Sequence, residues 1–325
     1  MKLAVVGATG MVGREILRVL EERFPASLID EFYVLASGRS AGGKIIFKGR
    51  EYTVEELTES SFDRGIDIAL FSAGGSVSKK FAPIAAAKGC VVVDNSSAWR
   101  MDAAVPLVVP EVNPEDAKLH KGIISNPNCS TIQAVVALAP LHSRYKIKRI
   151  VYSTYQSVSG AGMAGHDDLT ETLAGKKPNK FAHVIAGNCI PHIDEFTDNG
   201  YTKEELKMVN ETRKILHAPE LAITATTVRV PVYYGHSESI NVEFQNEYIL
   251  EELIDALCQA PGIVVQNNLR NNEYPMPITA AGRDEVFIGR IRRDESVTSG
   301  VNLWVVADNI RKGAATNAVQ IVELL

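Results

Sequence analysis

Short, mostly apolar runs alternate with helical segments through the first third of the chain. Apolar stretches of this length are typical of parallel strands that are buried on both faces. The runs lie at residues 3–6, 32–36, 66–71 and 91–93. Helical patterns follow the first run at 14–22 and the third at about 78–88. This alternation predicts a doubly wound parallel sheet, whose ligands bind beyond the carboxyl ends of the strands.

The pattern changes after residue 129, where longer strands carry polar residues at alternate positions. These strands are predicted at 147–158, 222–232, 238–244 and 301–309. Such alternation predicts a mostly antiparallel sheet that is packed on one face, often against another subunit. We therefore expect an α/β fold with two domains. The first spans residues 1–127 and is completed by a C-terminal helix within 306–325, and the second, an α+β domain, spans 128–305.

Composition and charge exclude several classes of protein. The 325 residues are 46% hydrophobic and 22% charged, as in globular proteins with more than one core. A net charge of −5 argues against a nucleic-acid partner, so an anionic substrate requires a local basic cluster. There is no long apolar span or signal peptide, which predicts a cytoplasmic protein with no membrane partner. Four scattered cysteines without a Cys-x-x-Cys pair predict neither disulfides nor a metal site.

A glycine turn joins the first strand to the first helix. Gly7, Gly10 and Gly13 have a spacing that lets backbone amides approach a pyrophosphate at the start of the helix. An ordinary turn is the alternative, but the strand–turn–helix context favours a dinucleotide. The predicted cofactor contacts in this turn are Gly7, Thr9, Gly10, Met11 and Val12.

Two further loops extend the predicted cofactor site. The second strand is followed by Ser37 and Arg39 rather than by a carboxylate, which favours the 2′-phosphate of NADP over the ribose of NAD. The third run opens into a loop of small residues that contains Ser72 and Gly74, where a cofactor can approach the backbone. The first domain is thus predicted to be a Rossmann-like NADP-binding domain.

The polar turn at 125–131 places a thiol at the predicted start of a helix. Cys129 is followed by Ser130 and Thr131, which are available as caps, and a helix start favours an anion such as a thiolate. A small buried cysteine is the alternative. His236, in a predicted turn between two strands, is a candidate base, and Arg229 precedes it by seven residues. Spacing alone does not decide whether these residues meet.

Together these motifs resemble aspartate-semialdehyde dehydrogenase over the whole chain and in the same order. The resemblance rests on the turns at 7–13 and 126–131, the loop at 94–100, Gln156 with the glycine loop at 159–162, and the segments at 211–214, 229–237 and 304–309. One departure is Trp99, where another aromatic residue such as phenylalanine is expected.

The resemblance implies a reaction and a role for each site residue. NADPH would reduce L-aspartyl 4-phosphate to L-aspartate 4-semialdehyde and phosphate through a cysteine thioester. Cys129 would be the nucleophile, His236 the acid/base, and Gln156 the group that orients the acyl carbonyl. Substrate contacts would come from Arg229, Glu211, Arg100, Lys214 and Asn128. Ser159, Gly160 and Asn309 would add cofactor contacts.

The implied enzyme is an oxidoreductase of amino-acid biosynthesis, on the route to lysine, diaminopimelate, threonine and methionine. The second domain would be its catalytic and dimerisation domain, in a homodimer or homotetramer. Two alternatives remain. An N-acetyl-γ-glutamyl-phosphate reductase would have similar chemistry but typically has glycine-cysteine-tyrosine around the thiol, and a non-catalytic NADP sensor would use the glycine turn alone.

Overall fold

The computed structural model describes all residues from Met1 to Leu325. The strands of the first half are β1 (Lys2–Val6), β2 (Glu31–Ala36), β3 (Lys44–Phe47), β4 (Arg50–Thr53), β5 (Glu55–Glu56), β6 (Ile68–Phe71), β7 (Val91–Asp94) and β8 (Ile123–Ser125). Those of the second half are β9 (Ile147–Gln156), β10 (Ala222–Arg229), β11 (His236–Phe244), β12 (Ile263–Val265), β13 (Val286–Arg293) and β14 (Gly300–Ala307). The α-helices are α1 (Met11–Arg23), α2 (Gly75–Ala87), α3 (Cys129–Tyr145), α4 (Met163–Leu173), α5 (Lys203–Ile215), α6 (Leu250–Gln259), α7 (Pro277–Ala280) and α8 (Thr316–Glu323).

The chain divides into two compact units. The first comprises residues 1–127 and 314–325, and the second comprises 128–313. The sequence predicts that the C-terminal segment that completes the first domain begins at residue 306. In the structure residues 306 and 307 end strand β14, and 308–313 also lie in the second unit.

The first unit is built on a six-stranded parallel sheet in the order β5-β2-β1-β6-β7-β8. Successive residues of β1 face opposite sides of this sheet. Leu3 and Val5 pack in a core with α1 and α8, whereas Ala4 and Val6 pack in a second core with α2. Helices therefore cover both faces, as the apolar strands require. The predicted doubly wound α/β fold is confirmed.

The second unit holds a six-stranded mixed sheet in the order β10-β9-β11-β14-β13-β12. Its three central pairs are antiparallel, but β10 is parallel to β9 and β12 is parallel to β13. The prediction of a mostly antiparallel sheet is therefore only partly right. The long connection between β9 and β10 contains α4 and α5, and a crossover of this kind returns the chain in the same direction.

Some element boundaries differ from the predictions. Helix α1 begins at Met11 rather than at residue 14, and α4 and α6 fall where no helix was predicted. His236 is the first residue of β11 and is not in a turn. No helix of the structure is both long and apolar enough to cross a membrane.

Candidate active site

The start of helix α3 presents Cys129 as its first residue. Asn128 has an extended backbone and is the N-cap, because its Oδ1 accepts hydrogen bonds from the amides of Ser130 (3.0 Å) and Thr131 (3.3 Å). The expectation that Ser130 and Thr131 act as caps is wrong. They lie inside the first turn, where their amides need a partner rather than supply one.

His236 lies beside the thiol. Its Nε2 is 3.2 Å from Cys129 Sγ, and its Nδ1 accepts a hydrogen bond of 3.0 Å from the amide of Ser157. An amide only donates, so the neutral ring carries its hydrogen on Nε2, the nitrogen that faces the sulfur. A helix start and an N–H donor both favour negative charge on that sulfur.

The protein keeps the His236 ring uncharged at neutral pH. Complete burial lowers the pKa of His236 to about 3, the positive charge of Arg229 adds to this, and the carboxylate of Glu204 acts in the opposite direction. In the resting site His236 is therefore a neutral hydrogen-bond donor to sulfur.

A buried polar network lies on the Nδ1 side of the His236 ring. Ser157 Oγ is 3.1 Å from Nδ1 and donates to Asn309 Oδ1 at 2.9 Å. Asn309 Nδ2 donates to Ser159 Oγ at 3.0 Å, and Asn309 Oδ1 also accepts from the amide of Gly235 at 2.9 Å. The side chains of Ser159 and Asn309, which are predicted to contact the cofactor, thus contact each other. Their cofactor role stays a prediction.

Gln156 is the last residue of strand β9, and both the oxygen and the nitrogen of its side-chain amide form hydrogen bonds. Thr154 Oγ1 donates to Gln156 Oε1 at 3.0 Å, and Gln156 Nε2 donates to Glu204 Oε1 at 3.0 Å. Each amide nitrogen carries two hydrogens, so one hydrogen remains for a ligand.

Glu211 on helix α5 reaches the same turn. Its Oε2 accepts a hydrogen bond of 2.6 Å from the amide of Asn128, and the side chain is buried. Lys214, which lies one turn further along α5, is partly exposed. The structure thus joins Glu211 to the turn that precedes Cys129.

Arg229 ends strand β10 and is also buried. Its Nη1 donates to the carbonyl oxygen of Ser157 at 2.6 Å. A methyl group added at Gly160 would lie 2.9 Å from Arg229 Nη1 and 3.3 Å from the His236 ring. Gly160 therefore leaves the space that brings the guanidinium and the imidazole close together.

The first unit contains the predicted cofactor turn between β1 and α1. Gly7 has a φ of +84°, and a side chain there would overlap the backbone of Ser72, so the turn requires glycine. Gly10 precedes α1, and no side chain caps that helix. The open helix start fits the pyrophosphate of a dinucleotide. Thr9 lies in the same turn, Met11 and Val12 are the first two residues of α1, and Ser72 and Gly74 lie between β6 and α2.

The end of strand β2 combines opposite charges. Ser37 and Arg39 are exposed, as a 2′-phosphate site requires. However, Glu56 of the neighbouring strand β5 reaches the same place, because a Cβ atom at Gly38 would lie 2.7 Å from Glu56 Oε1. The C-terminal end of β2 has no carboxylate of its own, and β5 supplies one there.

Arg100 lies in the first unit, where its Nε donates to the carbonyl oxygen of Asn126 and its Nη2 to that of Asn95, both at 3.0 Å. The guanidinium is buried and held by backbone. No group of His, Cys, Asp or Glu side chains in the structure is arranged to hold a metal ion.

Several residues of the site were not predicted from sequence. They are Glu56 in the first unit and Ser157, Glu204 and Gly313 in the second. A Cβ added at Gly313 would lie 2.9 Å from the Cβ of Cys129. Glu204 could have been found from the sequence, since it precedes Glu211 by seven residues and so shares one helix face with it. The other three depend on contacts that their own sequence neighbourhood does not indicate.

Comparison with known proteins identifies close relatives. Residues 2–120 match the family model "Semialdehyde dehydrogenase, NAD binding domain", and 138–312 match "Semialdehyde dehydrogenase, dimerisation domain". Aspartate-semialdehyde dehydrogenase of Aquifex aeolicus is 60% identical over all of this chain and 97% of its own length, and that of Bacillus subtilis is 49% identical with the same coverage.

Solved structures agree with these relatives. Aspartate semialdehyde dehydrogenase II from Vibrio cholerae, complexed with ASA, superposes with a TM-score of 0.94 at 50% identity, covering 100% of this chain and 97% of that one. The Candida albicans aspartate semialdehyde dehydrogenase with NADP superposes with a TM-score of 0.78 at 26% identity, covering 100% and 98%.

Proposed function

Since the chain belongs to the aspartate-semialdehyde dehydrogenase family, we propose that it reduces L-aspartyl 4-phosphate with NADPH through a thioester on Cys129. The family fixes the overall reaction, which is the reductive dephosphorylation of L-aspartyl 4-phosphate to L-aspartate 4-semialdehyde and phosphate. The protein is thus an oligomeric oxidoreductase of amino-acid biosynthesis, on the route to lysine, threonine and methionine.

The observation that carries the mechanism is the 3.2 Å approach of Cys129 Sγ to His236 Nε2 at the start of α3. A sulfur held by an N–H donor and a helix start is suited to attack an acyl phosphate. Attack forms the carbon–sulfur bond, and the carbon–oxygen bond to phosphate then breaks. When bound, the dinucleotide supplies the hydride. His236 holds a proton at Nε2, beside the sulfur that departs when the aldehyde is released.

Gln156 supports the tetrahedral step. Its remaining amide hydrogen is available to the acyl oxygen, and one such donor is worth about 3 kcal/mol of transition-state stabilisation. Asn128 keeps the turn before Cys129 in place, because its side chain caps α3.

The charged groups of the substrate find partners of opposite sign. Arg229 can bind the α-carboxylate with both arms of its guanidinium, which a lysine cannot do. Glu211 faces the α-ammonium group. Arg100 and Lys214 are proposed to receive the phosphate, and they supply the basic groups that an anionic substrate requires in an acidic protein.

NADP is the proposed cofactor. Arg39 and Ser37 support a 2′-phosphate after β2, and the glycine turn before α1 fits the pyrophosphate. Ser72, Gly74, Ser159, Gly160 and Asn309 complete the proposed set of cofactor contacts. The family match to an NAD binding domain supports a nicotinamide dinucleotide, and the proposed choice of NADP over NAD rests on Ser37 and Arg39.

An assay of the purified protein in the reverse direction tests the function. Aspartate semialdehyde, NADP and phosphate together should give NADPH, and omission of phosphate should stop steady-state turnover. NADP that binds without any turnover would instead favour a cofactor sensor. An N-acetyl-γ-glutamyl-phosphate reductase would require the N-acetylated substrate, a specificity that the relatives do not favour. The cytoplasmic location and the choice between dimer and tetramer stay predictions.

A further inference from the structure

The guanidinium of Arg229, the proposed partner of the substrate α-carboxylate, makes one hydrogen bond within the protein. Its Nη1 donates to the carbonyl oxygen of Ser157 at 2.6 Å, and its other N–H groups remain as donors. A hydrogen bond at one nitrogen does not by itself fix a long, flexible side chain. The structure supplies a second contact, because the ring of Phe181 lies against the guanidinium, with 5.8 Å between Arg229 Cζ and the ring centroid.

Phe181 lies in the loop after helix α4, and one face of that helix holds it. The buried residues of α4 recur at the spacing of a single helix face and include Gly165 and Asp168. Phe181 packs against the apolar cluster that contains Leu169 of the same face. A Cβ atom at Gly165 would lie 3.2 Å from Phe181 Cζ and 2.4 Å from the carbonyl oxygen of Val158. Gly165 therefore leaves room for the edge of the ring.

Asp168 fixes the backbone that leads into Phe181. Its Oδ1 accepts a hydrogen bond of 2.6 Å from the amide of Asn179, and its Oδ2 accepts one of 2.9 Å from the amide of Phe181 itself. Burial acts to raise the pKa of Asp168, but these amides and that of Lys180 lower it below its usual value, so the carboxylate is ionised at neutral pH. Both of its oxygens are therefore acceptors, as the two amides require.

We propose that Phe181 is a positioning residue for Arg229 and that Asp168 holds Phe181 in place. The ring keeps the guanidinium in the orientation that presents its remaining N–H donors to the substrate carboxylate, a role that rests on the proposed function of Arg229. Neither Phe181 nor Asp168 takes part in the chemical step. Loss of either contact should therefore weaken binding of the carboxylate substrate and leave kcat nearly unchanged.

Three single variants separate positioning from stability. Phe181→Leu keeps an apolar side chain but removes the aromatic face, and we expect KM for aspartate semialdehyde to rise by about 5- to 20-fold, with kcat within about threefold of wild type. Asp168→Asn leaves one acceptor and turns an NH₂ group toward the other amide, so KM should rise by a similar factor. Asp167→Asn changes the adjacent, exposed carboxylate and should leave kcat and KM within about twofold of wild type.

A double variant tests whether Phe181 acts through Arg229. If it does, adding Phe181→Leu to Arg229→Lys should raise KM by less than about twofold further, because the positioned group is already gone. Effects of the two changes that multiply would overturn the proposal, as would an unchanged KM in Phe181→Leu. Damage to the fold alone would lower kcat and Tm with an unchanged KM, and that result for both Phe181→Leu and Asp168→Asn would also overturn it.

A spectroscopic measurement does not depend on turnover. In ¹⁵N spectra of the wild type, the two Nη groups of Arg229 should give separate resonances, because the guanidinium is held by Ser157 and Phe181, and in Phe181→Leu these resonances should merge. Merged resonances in the wild type would overturn the proposal. Separate resonances in a wild type without turnover would instead reject the proposed function and leave the positioning contact in place.

Discussion

Two helix starts in this protein follow strands of the same parallel sheet but are built differently. Helix α1 follows β1 through glycines, and no side chain caps it. Helix α3 follows β8, and its first amides are satisfied by the side chain of Asn128. Gly10 is exposed, whereas Asn128 is buried.

The difference suits each helix start to its proposed ligand. Uncapped amides at α1 leave hydrogen bonds available for the phosphates of a dinucleotide, a diffusible partner. At α3 the amides of Ser130 and Thr131 already have a partner, and the anion to be stabilised is the covalently attached sulfur of Cys129. Changes at α3 should therefore affect the chemical step or the fold, and changes at α1 should affect cofactor binding.

The largest effect is expected for His236→Asn, which removes the donor that faces the sulfur. We expect kcat to fall by about 10²–10⁴-fold, the usual value of a positioned acid/base group. NADP affinity, measured by fluorescence titration, should not change. A variant that loses kcat and NADP affinity to the same extent would show that His236 does not act at the thiol alone.

Smaller effects are expected for the two residues that precede the helices. One variant should lose stability, and the other should bind the cofactor more weakly. Asn128→Ala removes the α3 cap and should lower the free energy of unfolding by about 1–2 kcal/mol in urea denaturation. Gly10→Ala should be tolerated by the fold, since the nearest atom to an added Cβ is the Gly7 carbonyl oxygen at 3.4 Å. It should raise KM for NADP by about tenfold, because a methyl group would displace a phosphate from a backbone donor. A loss of stability in Gly10→Ala, or a raised KM for NADP with unchanged stability in Asn128→Ala, would contradict the comparison.

The smallest effect is expected for Glu56→Gln, near the end of β2. Removal of an exposed negative charge beside the proposed 2′-phosphate site should raise the preference for NADPH over NADH by up to about fivefold. The ratio of kcat/KM for the two cofactors measures it, and Glu55→Gln on the same strand is the matched control. No change in the ratio would mean that Glu56 does not face the cofactor.

Much of the first unit was predictable because its information is local. Apolar runs identify buried parallel strands, and the spacing of Gly7 and Gly10 marks a turn whose backbone must approach a ligand. The position of Cys129 at a helix start was also predictable, since a polar turn precedes an apolar helical run.

The arrangement of the second unit was not predictable in the same way. His236 meets Cys129 across 107 residues, and this contact depends on the strand order β9-β11-β14, which an alternating pattern does not specify. The parallel β9–β10 pair depends on a helical crossover within which α4 was not predicted. Glu204 resembles any polar helix residue until its neighbours are known.

The central claim is that Cys129 carries the acyl group, and pre-steady-state kinetics without phosphate test it most directly. Aspartate semialdehyde and NADP should give a burst of NADPH equal to the concentration of active sites and then stop, because the thioester has no acceptor. Intact-mass analysis of the stalled enzyme should find one aspartyl group, located on Cys129 and absent from Cys129→Ala. A burst that persists in Cys129→Ala, or a stalled enzyme with no added mass, would contradict the claim.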